Sequence, residues 1–237
     1  MVLSPRFLIA LATYNERENL PMLTAQIFGF VPDADILVID DSSPDGTANW
    51  VEEQMQSDAR LKLLKRAGKL GLGSAVLAAM DYAIQNNYDY LINMDADLSH
   101  PARFLPAIRD KAEAGFDVVI GSRYVPGGKI EGWSRARRLM SRAINIYARC
   151  LLGLITRDNS GSFRCYRVVL LRRLDPKSIL SHGYSFFEEI LYRLRKLGAT
   201  FAEVPITFEE RRAGQSKLDV KEIFVAIWVL LRVGVGR

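Results

Sequence analysis

The chain has 237 residues and a formal net charge of +5, with 49% hydrophobic and 25% charged residues. This length and composition are typical of one soluble α/β domain, and the positive charge favours anionic partners. Two cysteines and two histidines argue against a disulfide framework, a zinc site and a histidine-based catalytic triad.

Short apolar segments alternate with helical patterns through the first half of the chain. The first residues run directly into a strand-like segment, so no signal peptide is predicted. The predicted strands are residues 7–12, 35–40, 61–65, 88–94 and 117–121. The predicted helices are residues 16–30, 46–56, 71–86 and 101–114. Strands separated by helices of this length predict βαβ units, and therefore a mostly parallel sheet with helices on both faces.

Polar clusters follow the first four predicted strands. They lie at residues 14–16, 40–41, 69–73 and 95–97. In open α/β sheets, ligands bind beyond the carboxyl ends of the strands. The four clusters therefore predict one binding site at this edge of the sheet.

The fourth cluster contains two carboxylates, Asp95 and Asp97, separated by Ala96. In isolation, such a pair is more often a turn or a helix cap. Residues two apart on a strand share a face, so the two side chains can also converge on one divalent cation. Magnesium commonly takes one or two carboxylates together with substrate phosphates.

The second half of the chain is more basic. Residues 132–157 contain six arginines and no acidic residue. On a helical projection, Arg135, Arg138, Arg142 and Arg149 share one stripe, and Met140, Ile144, Tyr147 and Leu151 lie opposite. A basic amphipathic helix is therefore predicted around residues 135–152.

Four further elements are predicted after this helix. They are a helix at residues 185–197, a strand at 200–207, a basic loop at 211–217 and an apolar helix from about residue 220. The last apolar stretch, residues 223–231, is too short to span a membrane. Two arrangements are compatible with this stretch: packing on the core, or lying in a membrane interface.

Six motifs resemble, in order, those of polyprenol (dolichol) phosphate mannose synthases, within the inverting glycosyltransferase family 2. They are TYNEREN at 13–19, DDSSPDGT at 40–47, GLG at 71–73, DADLSHP at 95–101, GSRYV at 121–125 and GQSK at 214–217. The resemblance implies a GT-A fold, a GDP-mannose donor, a Mg²⁺ or Mn²⁺ cofactor and a polyprenyl or dolichyl phosphate acceptor. It also implies one catalytic domain over residues 1–237, with a nucleotide-sugar half at 5–130, an acceptor half at 131–217 and a C-terminal helix at 218–237.

The resemblance also assigns roles to individual residues. The nucleotide-sugar residues are Ala12, Tyr14, Glu16, Ile39, Asp41, Asp95, Ala96, Asp97, Arg211 and Lys217. The metal ligands are Asp95, Asp97 and Ser99, the acceptor-phosphate residues are Arg123 and Arg137, and the catalytic residues are Asp97 and Arg123. Relatives usually have proline at position 12, and some have glutamine at position 99.

Four further assignments concern residues outside these sets. Asp158, Ser162 and Arg164 are similar to another segment of the family, and Glu189 matches a late acidic position. Asp45 is interpreted as a turn or cap residue rather than a ligand. The glycines of the 71–73 motif do not form a dinucleotide-binding fingerprint, because position 76 is valine.

The predicted activity is transfer of mannose to a lipid phosphate with inversion. A polyprenyl-phosphate glucose synthase that uses UDP-glucose would share nearly all of these features. A nucleic-acid-binding protein is disfavoured, because the basic helix has an apolar face and few aromatic residues. Peripheral binding to the cytoplasmic face of a membrane is expected. A separate membrane-anchoring subunit remains open as a partner.

Overall fold

A central sheet organises the molecule, whose computed structural model describes residues 4–181, 183, 185–210 and 228–234. The strands are β1 Phe7–Thr13, β2 Asp35–Asp40, β3 Leu61–Lys65, β4 Tyr90–Asp95, β5 Val118–Ser122, β6 Lys129–Ile130, β7 Arg164–Arg167, β8 Phe201–Pro205 and β9 Thr207–Phe208. Within the described ranges, the main sheet has seven strands in the order β3-β2-β1-β4-β7-β5-β8, and β6 pairs with β9 in a separate small sheet.

The main sheet is mostly parallel, as predicted. Strands β1 to β4 pair in parallel, and so do β5 and β8. Strand β7 is antiparallel to both of its neighbours, β4 and β5. Because β7 and β8 come from the second half of the chain, the two predicted halves contribute to the same sheet.

The helices cover both faces of the sheet. They are α1 Leu20–Phe30, α2 Thr47–Met55, α3 Leu72–Gln85, α4 Leu105–Glu113, α5 Arg135–Leu152, α6 Val168–Leu171 and α7 Phe186–Lys196. Residues 228–234 are also helical. Alternate residues of β1 enter opposite cores: Leu8 belongs to the core that also contains residues of α3, α6 and α7, whereas Ile9 belongs to the core that also contains residues of α1, α2 and α4.

Two predicted boundaries were wrong, and one strand was missed. The first helix begins at Leu20 rather than residue 16, because residues 16–19 form a turn and Pro21 occupies the first helical turn, where its missing N–H costs nothing. The predicted strand at 200–207 is broken at Ile206, and β9 leaves the main sheet to pair with β6. Strand β7 was missed because its sequence, RCYR, has no apolar run.

Helix α5 is amphipathic, as predicted. Its first turn is capped by Ser134, whose Oγ accepts the Arg137 N–H at 3.3 Å, and it ends at Gly153 in the left-handed conformation (φ 63°). The predicted arginine stripe is exposed, and Tyr147 and Leu151 pack against the core. Among the helices in the described ranges, none is both long enough and apolar enough to cross a bilayer.

Candidate active site

The carboxyl ends of three adjacent strands bring predicted site residues side by side. Ala12 of β1 pairs in register with Ile39 of β2 on one side and with Asp95 of β4 on the other. Tyr14 and Glu16 follow directly after β1. The register therefore places Ala12, Ile39 and Asp95 side by side at the carboxyl edge of the sheet.

Asp95 is the last residue of β4, and one of its two carboxylate oxygens accepts a hydrogen bond. Ser162 donates its hydroxyl to Asp95 Oδ1 at 2.7 Å, and the Asp95 side chain is one-third exposed. The backbone N–H of Asp95 donates to His100 Nδ1 at 3.1 Å. His100 Nδ1 therefore carries no proton, and its approach of 3.7 Å to Asp95 Oδ2 is not an ion pair.

The Asp97 carboxylate lies beyond the strand, in a turn. The strand ends at Asp95, and Leu98 has a positive φ of 65°, so the alternation of strand side chains does not extend to Asp97. Asp97 Oδ1 accepts the Ser99 N–H at 3.0 Å. Burial lowers the pKa of His100, and the negative charges of Asp95 and Asp97 oppose this shift.

These two carboxylates suit a cation that is shared with a substrate. In the described part of the chain, no group of three or more histidine, cysteine or acidic side chains is arranged to hold a metal. Two carboxylates fit a hard cation that completes its shell with phosphate oxygens and water. The Ser99 hydroxyl oxygen is buried and has no hydrogen-bond partner among the described residues, so a third oxygen lies on the same turn.

Asp41 organises the predicted nucleoside side of the site. It is 6% exposed, and its Oδ1 accepts from Arg66 Nε at 2.5 Å. Its Oδ2 accepts the Leu70 N–H at 3.1 Å. Asp41 therefore ties the loop before α3 to the end of β2. Lys69 belongs to the same loop, and its Nζ lies 4.2 Å from the ring centroid of Tyr14.

Glu16 and Asp45 belong to one connected turn region. Glu16 Oε2 accepts from Asn19 Nδ2 at 2.6 Å, and the Glu16 N–H donates to Thr47 Oγ1 at 3.1 Å. Asp45 Oδ1 accepts from the backbone N–H and the hydroxyl of Thr47. Asp45 is thus a turn residue, as predicted. Although burial raises the pKa of Asp45, these hydrogen bonds and one from the Arg17 N–H hold it below its ordinary value.

Arg123 forms a buried bidentate ion pair that sequence reasoning did not predict. Its Nε and Nη2 donate to the two carboxylate oxygens of Asp158, each at 2.7 Å. Both side chains are buried, at 8% and 0% exposure. Burial lowers the pKa of Arg123, but Asp158 more than compensates and leaves it raised. Burial raises the pKa of Asp158, but Arg123 leaves it lowered. Arg123 was predicted to bind the acceptor phosphate, but two of its guanidinium nitrogens are directed at Asp158.

A basic groove lies beside Arg123. Its cavity volume is about 560 Å³, and its lining includes Arg123, Tyr124, Gly128, Lys129, Ile130, Glu131, Arg138, Leu139 and Arg142. Arg137, the predicted acceptor residue, is not among them. Its guanidinium stacks 4.0 Å from the Trp133 ring and bonds Glu210 at 3.3 Å. The groove therefore presents Arg138 and Arg142 of the predicted arginine stripe, in place of Arg137.

The remaining predicted residues have mixed outcomes. Arg211 and Lys217 lie outside the described residues. Glu189 is buried, accepts the N–H groups of Leu180 and Ser181, and pairs with Arg193, so it holds the segment before α7. No functional role was predicted for the neighbouring residue, Glu188. Burial raises the Glu188 pKa to about 7, and its Oε2 has no hydrogen-bond partner among the described residues.

Known proteins match this chain over most of its length. Residues 8–175 match the model of the glycosyl transferase family 2. An undecaprenyl-phosphate mannosyltransferase of Micrococcus luteus is 41% identical over 90% of this chain and 88% of its own length. A polyprenol monophosphomannose synthase of Mycolicibacterium smegmatis is 39% identical over 97% of this chain and 87% of its own length.

Solved structures share the fold at lower sequence identity. Glucosyl-3-phosphoglycerate synthase from Mycobacterium tuberculosis, in complex with Mn²⁺, UDP and phosphoglyceric acid, superposes with a TM-score of 0.66. The identity is 18%, and the match covers 97% of this chain and 77% of that chain. A structure of the same synthase with UDP alone also gives a TM-score of 0.66. The likeness confirms the predicted GT-A fold.

Proposed function

This chain belongs to glycosyl transferase family 2, and we propose that it transfers mannose from GDP-mannose to a polyprenyl or dolichyl phosphate. The products are the lipid-phosphate mannose, with inverted anomeric configuration, and GDP. The observation that carries the proposal is the identity of about 40% with an undecaprenyl-phosphate mannosyltransferase and a polyprenol monophosphomannose synthase, over nearly the whole length of each chain.

The donor side of the proposal depends on Asp95 and Asp97. These carboxylates would hold Mg²⁺ or Mn²⁺ against the diphosphate, with Ser99 on the same turn. When bound, the cation neutralises charge on the departing GDP. The register that places Ala12 between Ile39 and Asp95 supports a nucleotide-sugar site across these strand ends. Ala96, Tyr14, Glu16 and Asp41, together with Arg211 and Lys217, remain proposed donor contacts.

The acceptor side of the proposal depends on the basic groove. A lipid phosphate is already anionic near neutral pH, so its oxygen can attack the anomeric carbon without a strong general base. The protein must instead position one anion beside another. Arginine side chains suit this task, because the guanidinium binds phosphate oxygens in a fixed geometry. Arg138 and Arg142 join Arg123 along the groove, and Arg137 lies on the same helix.

The surface beside the groove suits a membrane. Helix α5 exposes Leu139 (72%) and Ile146 (48%) next to its arginine stripe. In residues 228–234, Leu230 and Val233 pack on the core while Trp228 and Leu231 face outward. Exposed apolar side chains flanked by arginines are typical of peripheral binding to anionic lipid. We infer that the exposed face of α5 rests on the cytoplasmic leaflet.

An assay with two donors tests the proposed function. Purified protein is incubated with polyprenyl phosphate and Mn²⁺, and with labelled GDP-mannose or labelled UDP-glucose. Labelled lipid is expected from GDP-mannose. Labelled lipid from UDP-glucose alone would assign glucose transfer instead, and no labelled lipid from either donor would reject the proposed activity.

The groove makes a separate prediction. Substituting both Arg138 and Arg142 by alanine is expected to raise the KM for polyprenyl phosphate about 10-fold or more, because charged hydrogen bonds to an anion each contribute about 1.5–3 kcal/mol. The KM for GDP-mannose is expected to change less than twofold. Initial rates in detergent micelles measure both constants.

Arg149 provides the matched control for this prediction. It is exposed on the same helix but does not line the groove. Arg149→Ala is expected to leave both KM values near those of the unmodified protein. An equal rise in acceptor KM for Arg149→Ala and for the double variant would mean that the effect comes from general surface charge.

A further inference from the structure

One short loop, residues 158–162, contacts both halves of the proposed site; we call it the bridging loop. Its first residue, Asp158, pairs with Arg123. Its last residue, Ser162, donates to Asp95 Oδ1. The loop therefore connects the predicted acceptor arginine with the predicted metal carboxylate.

The Ser162 end of the bridging loop is attached to β4 at two points. Its hydroxyl donates to Asp95 at 2.7 Å, and its carbonyl oxygen accepts from Asn93 Nδ2 at 2.9 Å. Ser162 and Asn93 are 6% and 1% exposed. Since Asn93 and Asp95 are two apart on one strand, they project from the same face and hold Ser162 between them.

The Asp158 end of the bridging loop is held just as firmly. Asp158 accepts the N–H groups of Arg123 and Gly161 as well as the Arg123 guanidinium. The N–H groups of Arg157 and Asp158 donate to the carboxylate of Glu203 on β8. The loop is therefore tied to β4, to Arg123 directly after β5, and to β8, and has little freedom to move without disturbing Asp95.

We propose that Ser162 is a positioning residue for the metal carboxylate Asp95. Its hydroxyl fixes Oδ1 and thereby orients the plane of the Asp95 carboxylate, which would hold the cation. This inference rests on the proposed function, because it assigns Asp95 to a divalent cation. Groups that hydrogen-bond a metal ligand typically change metal affinity by about 10- to 100-fold when removed.

Binding of Mn²⁺ in the presence of GDP tests the inference without any transfer reaction. Free Mn²⁺ is measured by electron paramagnetic resonance during titration of the protein. Ser162→Ala is expected to raise the dissociation constant of Mn²⁺ about 10-fold or more. Ser162→Cys, which keeps a weaker donor of similar size, is expected to fall between Ser162→Ala and the unmodified protein.

Ser160 gives a control on the same loop. Its hydroxyl accepts from Arg123 Nη2 and Asn145 Nδ2, each at 3.0 Å, and no hydrogen bond to Asp95 is among its contacts in the described structure. Ser160→Ala is expected to bind Mn²⁺ within twofold of the unmodified protein. Thermal melting checks that all three variants are folded, so that a general loss of structure is recognised.

The results separate the inference from the proposed metal site. Mn²⁺ binding by Ser162→Ala within twofold of the unmodified protein would overturn the inference and leave the proposed metal site intact. An equal loss in Ser160→Ala and Ser162→Ala would also overturn it, since the effect would then belong to loop packing. If the unmodified protein binds no Mn²⁺ with GDP, the proposed metal site is wrong and the inference is wrong with it.

Discussion

Replacing Asp97 by asparagine is expected to lower kcat/KM for mannose transfer by about a thousand-fold. A metal that stabilises the departing diphosphate supplies several kcal/mol, and about 4 kcal/mol corresponds to this factor. Asparagine keeps an oxygen that can accept the Ser99 N–H, which Asp97 now accepts at 3.0 Å. The substitution therefore removes the charge and spares the turn.

Asp81→Asn is the matched control for this variant. Asp81 is exposed on α3, where it accepts from Gln85 Nε2 at 2.7 Å. The Asp81→Asn variant is expected to have a kcat/KM within twofold of that of the unmodified protein. Rates of labelled lipid formation at saturating Mn²⁺ measure the effect, and thermal melting compares stability. Asp97→Asn with more than one-tenth of normal activity would contradict the metal assignment.

Replacing Asp158 by alanine is expected to reduce the free energy of unfolding by about 3–5 kcal/mol. Removing one partner of a buried ion pair leaves the other charge without compensation in a site of low dielectric. Here the remaining charge would be Arg123, whose side chain is 8% exposed. The N–H groups of Arg123 and Gly161 would also lose their acceptor. Urea unfolding followed by circular dichroism measures the loss.

Arg123→Met separates the structural role of this pair from its proposed catalytic role. In this variant Asp158 still accepts two backbone N–H groups, so the loss of unfolding free energy is expected to be smaller than for Asp158→Ala. Transfer activity is nevertheless expected to fall at least about 100-fold, because the proposed acceptor contact is gone. A folded Arg123→Met protein with full activity would reject Arg123 as an acceptor ligand.

Much of the fold is predictable from the sequence, because it depends on short-range patterns. Strands β1 to β5 are apolar runs bounded by polar residues, and the structure places each within two residues of its predicted limits. Parallel strands then bring their carboxyl ends together, which is why Ala12, Ile39 and Asp95 lie in register. Strand β7 escaped prediction because tertiary burial, rather than composition, makes RCYR a strand.

The same distinction between short-range patterns and tertiary contacts applies to the candidate site. The sequence by itself determined the strand-end clusters and the basic face of α5, since both follow from periodicities within a few residues. Only the tertiary structure decided which polar groups meet. Arg123 and Asp158 are separated by 35 residues, and Asp95 and Ser162 by 67. Such buried pairs depend on complementary charge and hydrogen bonding across the packed sheet, and the chain acquires them only when it folds.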